Sequence, residues 1–488
     1  MSLETKESSI EEIDNGKAYA ENVERGQITT TDIESSLSEP HREYLLQHHG
    51  MLDLDPIPSP SGADPYNWPT WKKLINLILV AFHASISTIT ASSITPAYKD
   101  IAIDLGVSLQ RASYLTSLQI AILGGGPFIW KPLSHRFGRR PIFLLSLILS
   151  AVCNVGCAKS PTYASMAACR ALTALFISPA AAIGSAVVAE TFFKRDRAKY
   201  MGVWTLMITV GVPIGPLVFG FVAYRVGYRW IYWVLAITNG RRGSALNPEI
   251  SVPFPPTNRP QFPNMDGVHP SLFMAKHMNV LFPSIIYAMI FLFGSVLITV
   301  EVPQLLQEKF ELNTEQLGLQ FLGVIIGSVL GEQIGGSLSD FWMNSRARRI
   351  QRKPEPEFRL WLSYPGILLA IAGIIVFLVC TEQAPEGHWV VDPIVGTAVA
   401  AFGNQIVTTV MITYAVDCCP QDPGNVGVFI TFVRQTWAFI GPFWLPDMFE
   451  NVGVAASSGI TTALMAVFSL IFAVLLHVFG KKWRPGIE

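Results

Sequence analysis

The chain has 488 residues, of which 50% are hydrophobic and only 15% are charged, and its mean hydropathy is +0.38. Soluble globular proteins carry about 25% charged residues, so this composition argues against a soluble enzyme. The net charge of −1 gives no electrostatic basis for binding nucleic acid. The six cysteines follow no zinc-binding spacing and form no evident disulfide framework.

The first predicted element is an acidic tail. Residues 1–60 contain 13 acidic and four basic side chains and almost no aromatic ones. Such a segment buries too little apolar surface to fold, so we predict a disordered cytoplasmic tail over residues 1–65. It lacks the basic and apolar regions of a cleaved signal peptide.

Apolar runs long enough to cross a membrane follow the tail. A helix needs about 20 apolar residues to cross a hydrocarbon core roughly 30 Å thick. The pattern therefore predicts an all-α polytopic membrane protein. Eleven spans are predicted at residues 74–95, 114–132, 142–160, 163–190, 201–223, 280–302, 316–338, 360–380, 390–414, 426–446 and 456–479.

The loops between these spans predict the orientation. Every second loop is basic, and basic loops remain in the cytoplasm. The alternate loops carry acids instead, so both termini are predicted to be cytoplasmic. The basic clusters lie at residues 72–73, 131–140, 194–199, 346–353 and 481–484.

The sixth span conflicts with this topology. Two cytoplasmic termini require an even number of crossings, yet the only apolar stretch between the fifth and seventh spans runs from Trp230 to Ile237. As a helix, the eleven residues 230–240 reach only about 16 Å. We therefore predict a truncated sixth span, followed by a Pro-rich cytoplasmic loop over residues 241–278. Either part of the natural sequence is missing or the chain is a damaged paralogue.

A short polar pattern occurs at matching places in the two halves. Residues 133–140 (LSHRFGRR) follow the second span, and residues 338–349, which begin LSDFW, follow the eighth. This repeat predicts two similar bundles, residues 66–240 and 279–480, followed by a short cytoplasmic tail at 481–488. Secondary transporters are built in this way, with the substrate site at the midplane between the bundles.

Several motifs resemble those of the major facilitator superfamily, and more narrowly those of fungal twelve-span drug:proton antiporters. The resemblance covers residues 64–239 and 279–484. The motifs are residues 64–69 (DPYNWP), 132–140, 170–172, the fifth-span set Gly202, Gly211, Gly215, Pro216 and Gly220, and residues 414–417 (YAVD) and 432–444 (FVRQTWAFIGPFW).

This resemblance implies a major facilitator fold of two pseudo-symmetric six-helix bundles, here with eleven clear spans and one truncated span. The fifth-span set resembles the family's antiporter motif, which implies a hinge and seal; ordinary close packing is the alternative. We expect its residues to lie on one helical face. Two of the motifs depart from the family pattern. In the loop motif, Lys131 and His135 stand where the family has Gly and an acid, and in the fifth-span motif Phe219 replaces the first of two glycines.

Ionisable side chains inside the spans are the candidate substrate and proton pathway, because such groups are costly in lipid. The resemblance implies a proton-coupling role for Arg170. Arg434 is predicted to act in coupling or substrate binding, with structural hydrogen bonding as the alternative. For Arg170 the alternative is a role in helix packing. Glu332 is the better candidate proton carrier, and a charge pair near the inner gate is the alternative. Glu301 is expected where solvent reaches it. His83 either titrates near neutral pH or belongs to the scaffold.

Two further groups of residues are predicted from their positions. A charge latch at the cytoplasmic side comprises His135, Arg136, Gly138, Arg139, Arg140, Glu190 and Asp340. Its alternatives are topology control by positive charge and a structural pairing of Glu190 with the basic loop. A mostly apolar cavity with few polar anchors is expected between the bundles. Its wall includes Gln119, Trp204, Asn404, Gln405, Tyr414, Gln435 and Trp437.

The sequence thus predicts a proton-coupled exporter of a drug, polyamine or secondary metabolite. It contains no phosphate-binding loop for ATP and no catalytic motif, and no cofactor or metal is predicted. The expected partners are a small-molecule substrate, protons and the lipid bilayer. The protein is expected to be a monomer and to lie in the plasma membrane. The alternative is a transport-inactive, transporter-like receptor or damaged paralogue, which the short sixth span favours.

Overall fold

The computed structural model describes residues 38–484 except 53, 55, 63, 194–195, 246–268, 351–354 and 420–422. Within this part of the chain every regular element is helical. Nine helical segments there are long and apolar enough to cross a membrane. The predicted all-α polytopic membrane protein is therefore confirmed.

Nine α-helices form the first half of the described chain. Local signals set their ends: the Ser108 side chain accepts a hydrogen bond from the Arg111 backbone at the start of α4. Gly138 (φ +85°) and Gly227 (φ +91°) separate consecutive helices with a backbone that other residues rarely adopt. The helices are α1 Glu39–His49, α2 Thr70–Ser92, α3 Tyr98–Leu105, α4 Leu109–Phe137, α5 Arg139–Ala158, α6 Tyr163–Ile177, α7 Pro179–Thr191, α8 Arg197–Val226 and α9 Arg229–Ala245.

The second half contains eleven further α-helices. Three π-helical turns, Leu292–Leu297, Ile334–Leu338 and Ala466–Ile471, join α11 to α12, α14 to α15 and α19 to α20. The helices are α10 His269–Phe273, α11 Met278–Phe291, α12 Ile298–Lys309, α13 Thr314–Leu319, α14 Leu322–Gln333, α15 Ser339–Ile350, α16 Ser363–Gln383, α17 Asp392–Cys418, α18 Pro423–Val452, α19 Val454–Met465 and α20 Phe472–Phe479.

The sixth-span helix is longer than the sequence predicts. We call the side with the basic loops the basic face and the opposite side the acidic face. Helix α9 contains 17 residues, which corresponds to about 25 Å. It runs antiparallel to α5, because Arg229 donates to Ala158 and Asn239 donates to Ser150. The chain therefore turns back towards the basic face between α8 and α11, and the prediction of an eleven-residue helix was wrong.

The described end of the N-terminal tail is folded, so the prediction of disorder up to residue 65 was wrong for this part. Helix α1 buries Leu45 completely. His49 is hydrogen-bonded to Asn67 at 2.9 Å, and the hydroxyl of Tyr66 donates to the Ala189 carbonyl at 2.6 Å. These hydrogen bonds attach the segment to the basic face. The acidic composition of the tail gave no indication of this attachment. Residues 1–37 lie outside the described chain.

Glycines bring neighbouring helices unusually close together. Helices α16 and α17 pack along each other, and a Cβ atom at Gly373 would lie 2.2 Å from the Ala400 nitrogen. A Cβ atom at Gly403 would lie 2.4 Å from the Ala370 nitrogen. Backbone-to-backbone contact of this kind stabilises helix pairs in lipid, where the hydrophobic effect provides little attraction.

The Gly373→Leu substitution tests this packing. Its side chain would force α16 and α17 apart, because the obstructing atoms belong to backbone, and overpacking of this type costs about 1–3 kcal/mol. We expect a lower melting temperature for the detergent-purified protein. The control is Gly459→Leu in α19, where an added Cβ meets nothing within 4 Å. Equal melting temperatures for the two variants would contradict the packing account.

Candidate functional site

We call the helices of the first half of the chain (α2–α9) and those of the second half (α11–α20) the two bundles. Buried ion pairs join them at the basic face. Arg197 at the start of α8 lies 3.2 Å from Asp417 at the end of α17. The other oxygen of Asp417 lies 3.4 Å from Arg359, whose guanidinium donates to Asp340 at 2.6 Å. The backbone N–H of Lys199 donates to Asp340 at 3.0 Å. We call Arg197, Asp340, Arg359 and Asp417, with the Lys199 amide, the inter-bundle latch.

The latch holds its charges away from water. Arg359 is fully buried and Asp417 is nearly so. Removal of one partner from such a pair leaves an uncompensated buried charge, which typically destabilises by 3–5 kcal/mol. Asp340 also lies at the N-terminus of α8, where the helix dipole favours negative charge. The basic face is therefore closed by charges that each bundle supplies to the other.

The latch overlaps only partly with the predicted gate. Asp340 belongs to both, but Arg197, Arg359 and Asp417 were not predicted as site residues. The available signal was the position of Asp417 as an acid in the YAVD motif at the end of an apolar span. Arg359 similarly lies at the start of one.

The other predicted gate residues lie around this network. Arg136 is exposed at the end of α4, and Gly138 forms the break before α5. Glu190 is half-buried at the end of α7. The side chains of His135, Arg139 and Arg140 lie outside the described part of the structure.

A buried carboxyl group lies between the bundles towards the centre of the molecule. One oxygen of Glu332 in α14 accepts hydrogen bonds from Gln405 at 2.6 Å and from Thr409 at 2.8 Å, both in α17. The other oxygen faces Gly202 of α8, where an added Cβ would lie only 1.8 Å away. This oxygen accepts no hydrogen bond within the described chain. Gly202 therefore provides the space that the carboxyl group of the opposite bundle occupies.

The fifth-span glycines lie on two faces of α8, so the expectation of one face was wrong. Gly202 contacts Glu332 and Gly220 contacts Gly318, both in the second half of the chain. Gly211 and Gly215 instead contact α2 in the first half. Gly211 lies nine positions after Gly202 in the sequence. At 3.6 residues per turn, that spacing is about two and a half turns, which places the two residues on opposite sides.

Pro216 follows Gly215 within the same helix. Its carbonyl oxygen lies against α13, 2.7 Å from the position of a Cβ atom at Gly318. Helix α8 continues through Pro213 and Pro216 to Val226. The motif therefore attaches α8 to its own bundle in the middle and to the other bundle near both ends.

A small cavity lies between the bundles at the level of Arg434. Its volume is about 20 Å³, which is enough for roughly one water molecule. Helices α7, α8, α11, α17 and α18 all contribute to its wall, so both halves of the chain form it. The lining residues are Ala181, Ser185, Trp204, Thr205, Ile208, Tyr287, Ile412, Gly427, Ile430, Thr431 and Arg434.

Arg434 has few partners for a buried cation. It is only 3% exposed, and its guanidinium donates to the Tyr287 hydroxyl at 2.9 Å. The group lies 4.5 Å from the ring centre of Phe291 and 5.5 Å from that of Tyr287. A cation–π contact supplies about 0.5–2 kcal/mol, whereas desolvation of an ion costs several. Within the described chain Arg434 forms no ion pair, and its Nε has no acceptor.

The other predicted cavity residues are distributed between the two bundles. Trp204 lines the cavity, and its indole N–H has no acceptor within the described chain. Gln435 packs against Gly124 of α4, across the bundle interface. Asn404 is buried within the second bundle beside Gly294. Tyr414 lies near the basic face, where it donates to Asn279 at 3.4 Å. Trp437 packs near Phe468.

Arg170 is bound by neutral acceptors inside the first bundle. Its guanidinium donates to Gln119 at 2.6 Å, to the Tyr232 hydroxyl at 3.1 Å and to the Ala91 carbonyl at 3.2 Å. A fourth bond reaches the Leu115 carbonyl at 3.3 Å. Arg170 thus connects α2, α4, α6 and α9, and it makes the short helix α9 part of the bundle.

The two remaining predicted residues are both buried. His83 of α2 lies 3.3 Å from the Ser146 hydroxyl of α5 and contacts Phe143 edge to face. Glu301 of α12 is only 1% exposed, so the expectation that solvent reaches it was wrong for this conformation. Gln304 lines a cleft at the acidic face. Glu301 lies one helical turn before Gln304, further from that face, so the packed helices cover it.

The cleft at the acidic face has a volume of about 750 Å³ and lies between residues 99–109 of the first half and 304–312 of the second. Beside it, the halves are joined by an ion pair between Arg225 and Glu315 at 3.6 Å, in which the Arg225 side chain is 68% exposed. Exposed pairs contribute about 0–1 kcal/mol. This ion pair is therefore weaker than the buried ion pairs at the basic face.

This geometry is that of a multi-pass helical membrane protein with polar groups buried between two halves. The family model "Major Facilitator Superfamily" matches residues 80–442. The chain belongs to this family, and it is a transporter rather than an enzyme.

Similar proteins include fungal transporters. The MFS-type transporter atr4 of Stereocaulon alpinum is 25% identical, over 95% of this chain and 87% of that protein. The efflux pump FUBT of Fusarium oxysporum is 26% identical, over 86% of this chain and 74% of the relative. The crystal structure of the human organic anion transporter MFSD10 matches 83% of this chain and 100% of its own, with a TM-score of 0.58 and 16% identity. At that identity the likeness shows the fold alone.

The Asp417→Asn substitution tests the inter-bundle latch. Loss of this charge leaves Arg197 without its ion pair across the halves and leaves Arg359 with Asp340 alone, so the basic face should open. Spin labels at Arg136 and Arg349, in a background without native cysteines, would report the distance between the halves by double electron–electron resonance. We expect a population at longer distances that the parent protein lacks.

The matched control is Glu355→Gln, which removes a charge from an exposed pair with Lys481 within the second half. Its distance distribution should equal that of the parent protein. An unchanged distribution in Asp417→Asn would show that these ion pairs do not hold the basic face closed.

Proposed function

We propose that this transporter exports a small organic molecule from the cell in exchange for protons. The observation that carries the proposal is the Glu332 carboxyl group, which is buried between the bundles and faces Gly202 of the opposite one. The protonation of a carboxyl group in this position depends on whether the surfaces of the two bundles are in contact. The names of similar proteins, "efflux pump" among them, support the direction of transport.

In the proposed cycle, protonation of Glu332 alters the contact between α14 and α8. A neutral carboxyl group remains stable beside Gly202, Gln405 and Thr409 in the closed interface. A carboxylate there lacks a partner for its second oxygen, and an unpaired buried charge is costly. Loss of the proton therefore favours separation of the bundles around the central site, which is alternating access by rocking of the two halves.

The two faces take different roles in this cycle. The basic face corresponds to the cytoplasm by the distribution of positive charge, so both termini are proposed to be cytoplasmic and the membrane to be the plasma membrane. In this orientation the inter-bundle latch closes the cytoplasmic side, while the cleft at the acidic face remains open to the outside. We propose that a single chain carries out transport, because one chain supplies both halves of the site.

A transport-inactive receptor is the second candidate, and the shortness of α9 favours it. A 17-residue helix is at the lower limit for crossing a hydrocarbon core. Against it stands the contact of Tyr232 with Arg170, which includes α9 in the bundle. The export assay described next separates the two candidates.

The Glu332→Gln substitution tests proton coupling. Glutamine keeps the size of the side chain but cannot gain or lose a proton at neutral pH. In cells that lack their own exporters, accumulation of a panel of drugs, polyamines and aromatic acids would be measured at two external pH values. We expect the native chain to export at least one compound in a pH-dependent manner, and the variant to lose that dependence.

The control is Glu386→Gln, because Glu386 is exposed in an acidic loop of the second half. It should export as the native chain does. A Glu332→Gln variant with unchanged pH dependence would refute the role of this carboxyl group. A native chain that reaches the membrane but exports no compound would favour the receptor.

A further inference from the structure

We infer that the central cavity binds the anionic head group of an organic acid, with Arg434 and Trp204 as its anchoring donors. This inference rests on the proposed export function and names its substrate class. It is carried by two polar side chains that are more than nine-tenths buried, line one cavity and have unused donors.

The positive charge of Arg434 has no neutralising partner within the described chain. Asp340 and Asp417 are already paired with Arg359 and Arg197 at the basic face. Glu332 directs one oxygen to Gln405 and Thr409 and the other to Gly202. No acid lines the cavity among the described residues, so a ligand is the available source of a counter-charge.

The cavity wall also offers an excess of hydrogen-bond donors. The Nε–H of Arg434 and the indole N–H of Trp204 both lack acceptors within the described chain. An anionic group with several oxygens would accept from both, and charge-assisted hydrogen bonds are the stronger kind. An ammonium group would instead be repelled by Arg434.

The remaining wall favours an apolar body behind the head group. Ile208, Ile412 and Ile430 line the cavity, and the rings of Tyr287 and Phe291 cover Arg434. A volume of about 20 Å³ admits no such molecule. The site must therefore enlarge when the bundles separate, and the present conformation shows its donors before the ligand enters.

Three naphthalene compounds with different head groups test the inference: 1-naphthalenesulfonate, 1-naphthalenesulfonamide and trimethyl(1-naphthyl)ammonium. They share one ring system but carry negative, zero and positive charge. Equilibrium dialysis would measure their binding to the full-length purified protein. We expect the sulfonate to bind at least about tenfold more tightly than the sulfonamide, and the ammonium compound least tightly.

Substitutions then assign the preference to the two donors. Arg434→Gln should weaken sulfonate binding by about tenfold or more and leave the sulfonamide unaffected, whereas Arg434→Lys should retain part of the preference. Trp204→Phe keeps the ring and removes the N–H, so a smaller loss is expected. The control Arg111→Gln removes an exposed charge that lies over the ring of Tyr163, and it should change nothing.

Equal affinities for the sulfonate and the sulfonamide would overturn the inference. So would absence of sulfonate binding, or an unchanged preference in Arg434→Gln. Export of only the neutral or cationic compound by the native chain would refute the anion site and leave the export function standing. Arg434-dependent sulfonate binding without export of any compound would refute the export function and leave the anion site standing.

Discussion

Burial of charge inside a membrane protein is the constraint on which this structure depends, because an ion removed from water needs a partner. The chain meets this constraint in three ways. At the basic face, Asp417 and the arginines beside it pair across the two halves. Inside the first bundle, Arg170 is surrounded by neutral acceptors. At the centre, Arg434 forms no ion pair and one oxygen of Glu332 accepts no hydrogen bond in the described chain. The first two solutions hold structure together, and the third leaves groups available to a ligand and a proton.

Glycine makes these arrangements possible. The carboxyl group of Glu332 fits only because residue 202 of the opposite bundle has no side chain, and Trp204 fits against Gly184 for the same reason. Between helices α16 and α17, by contrast, glycines bring backbones together within one bundle. Across the two halves glycine serves in both ways, because Gly202 accommodates a polar side chain and Gly220 and Gly318 bring backbones together.

The sequence predicted the helical class, the family and most span positions, because about 20 apolar residues in succession have few other uses. The predicted length of α9 was too short, because hydropathy detects the apolar run from Trp230 to Ile237 but not the polar residues through which the helix continues to Ala245. The fifth-span glycines were predicted to lie on one helical face, although their spacing already contradicts this. Arg197 and Arg359 were missed because each pairs with residues remote in sequence, and such pairing is visible only once the bundles are packed.

The most direct test of the account is simultaneous measurement of substrate and proton movement in vesicles that contain the purified chain. A gradient of 1-naphthalenesulfonate would be imposed, and a pH-sensitive dye inside the vesicles would record protons. The account predicts that sulfonate moving in one direction drives protons in the other. Glu332→Gln should still exchange labelled sulfonate but move no protons. Sulfonate transport by the native chain without proton movement, or proton movement that persists in Glu332→Gln, would contradict it.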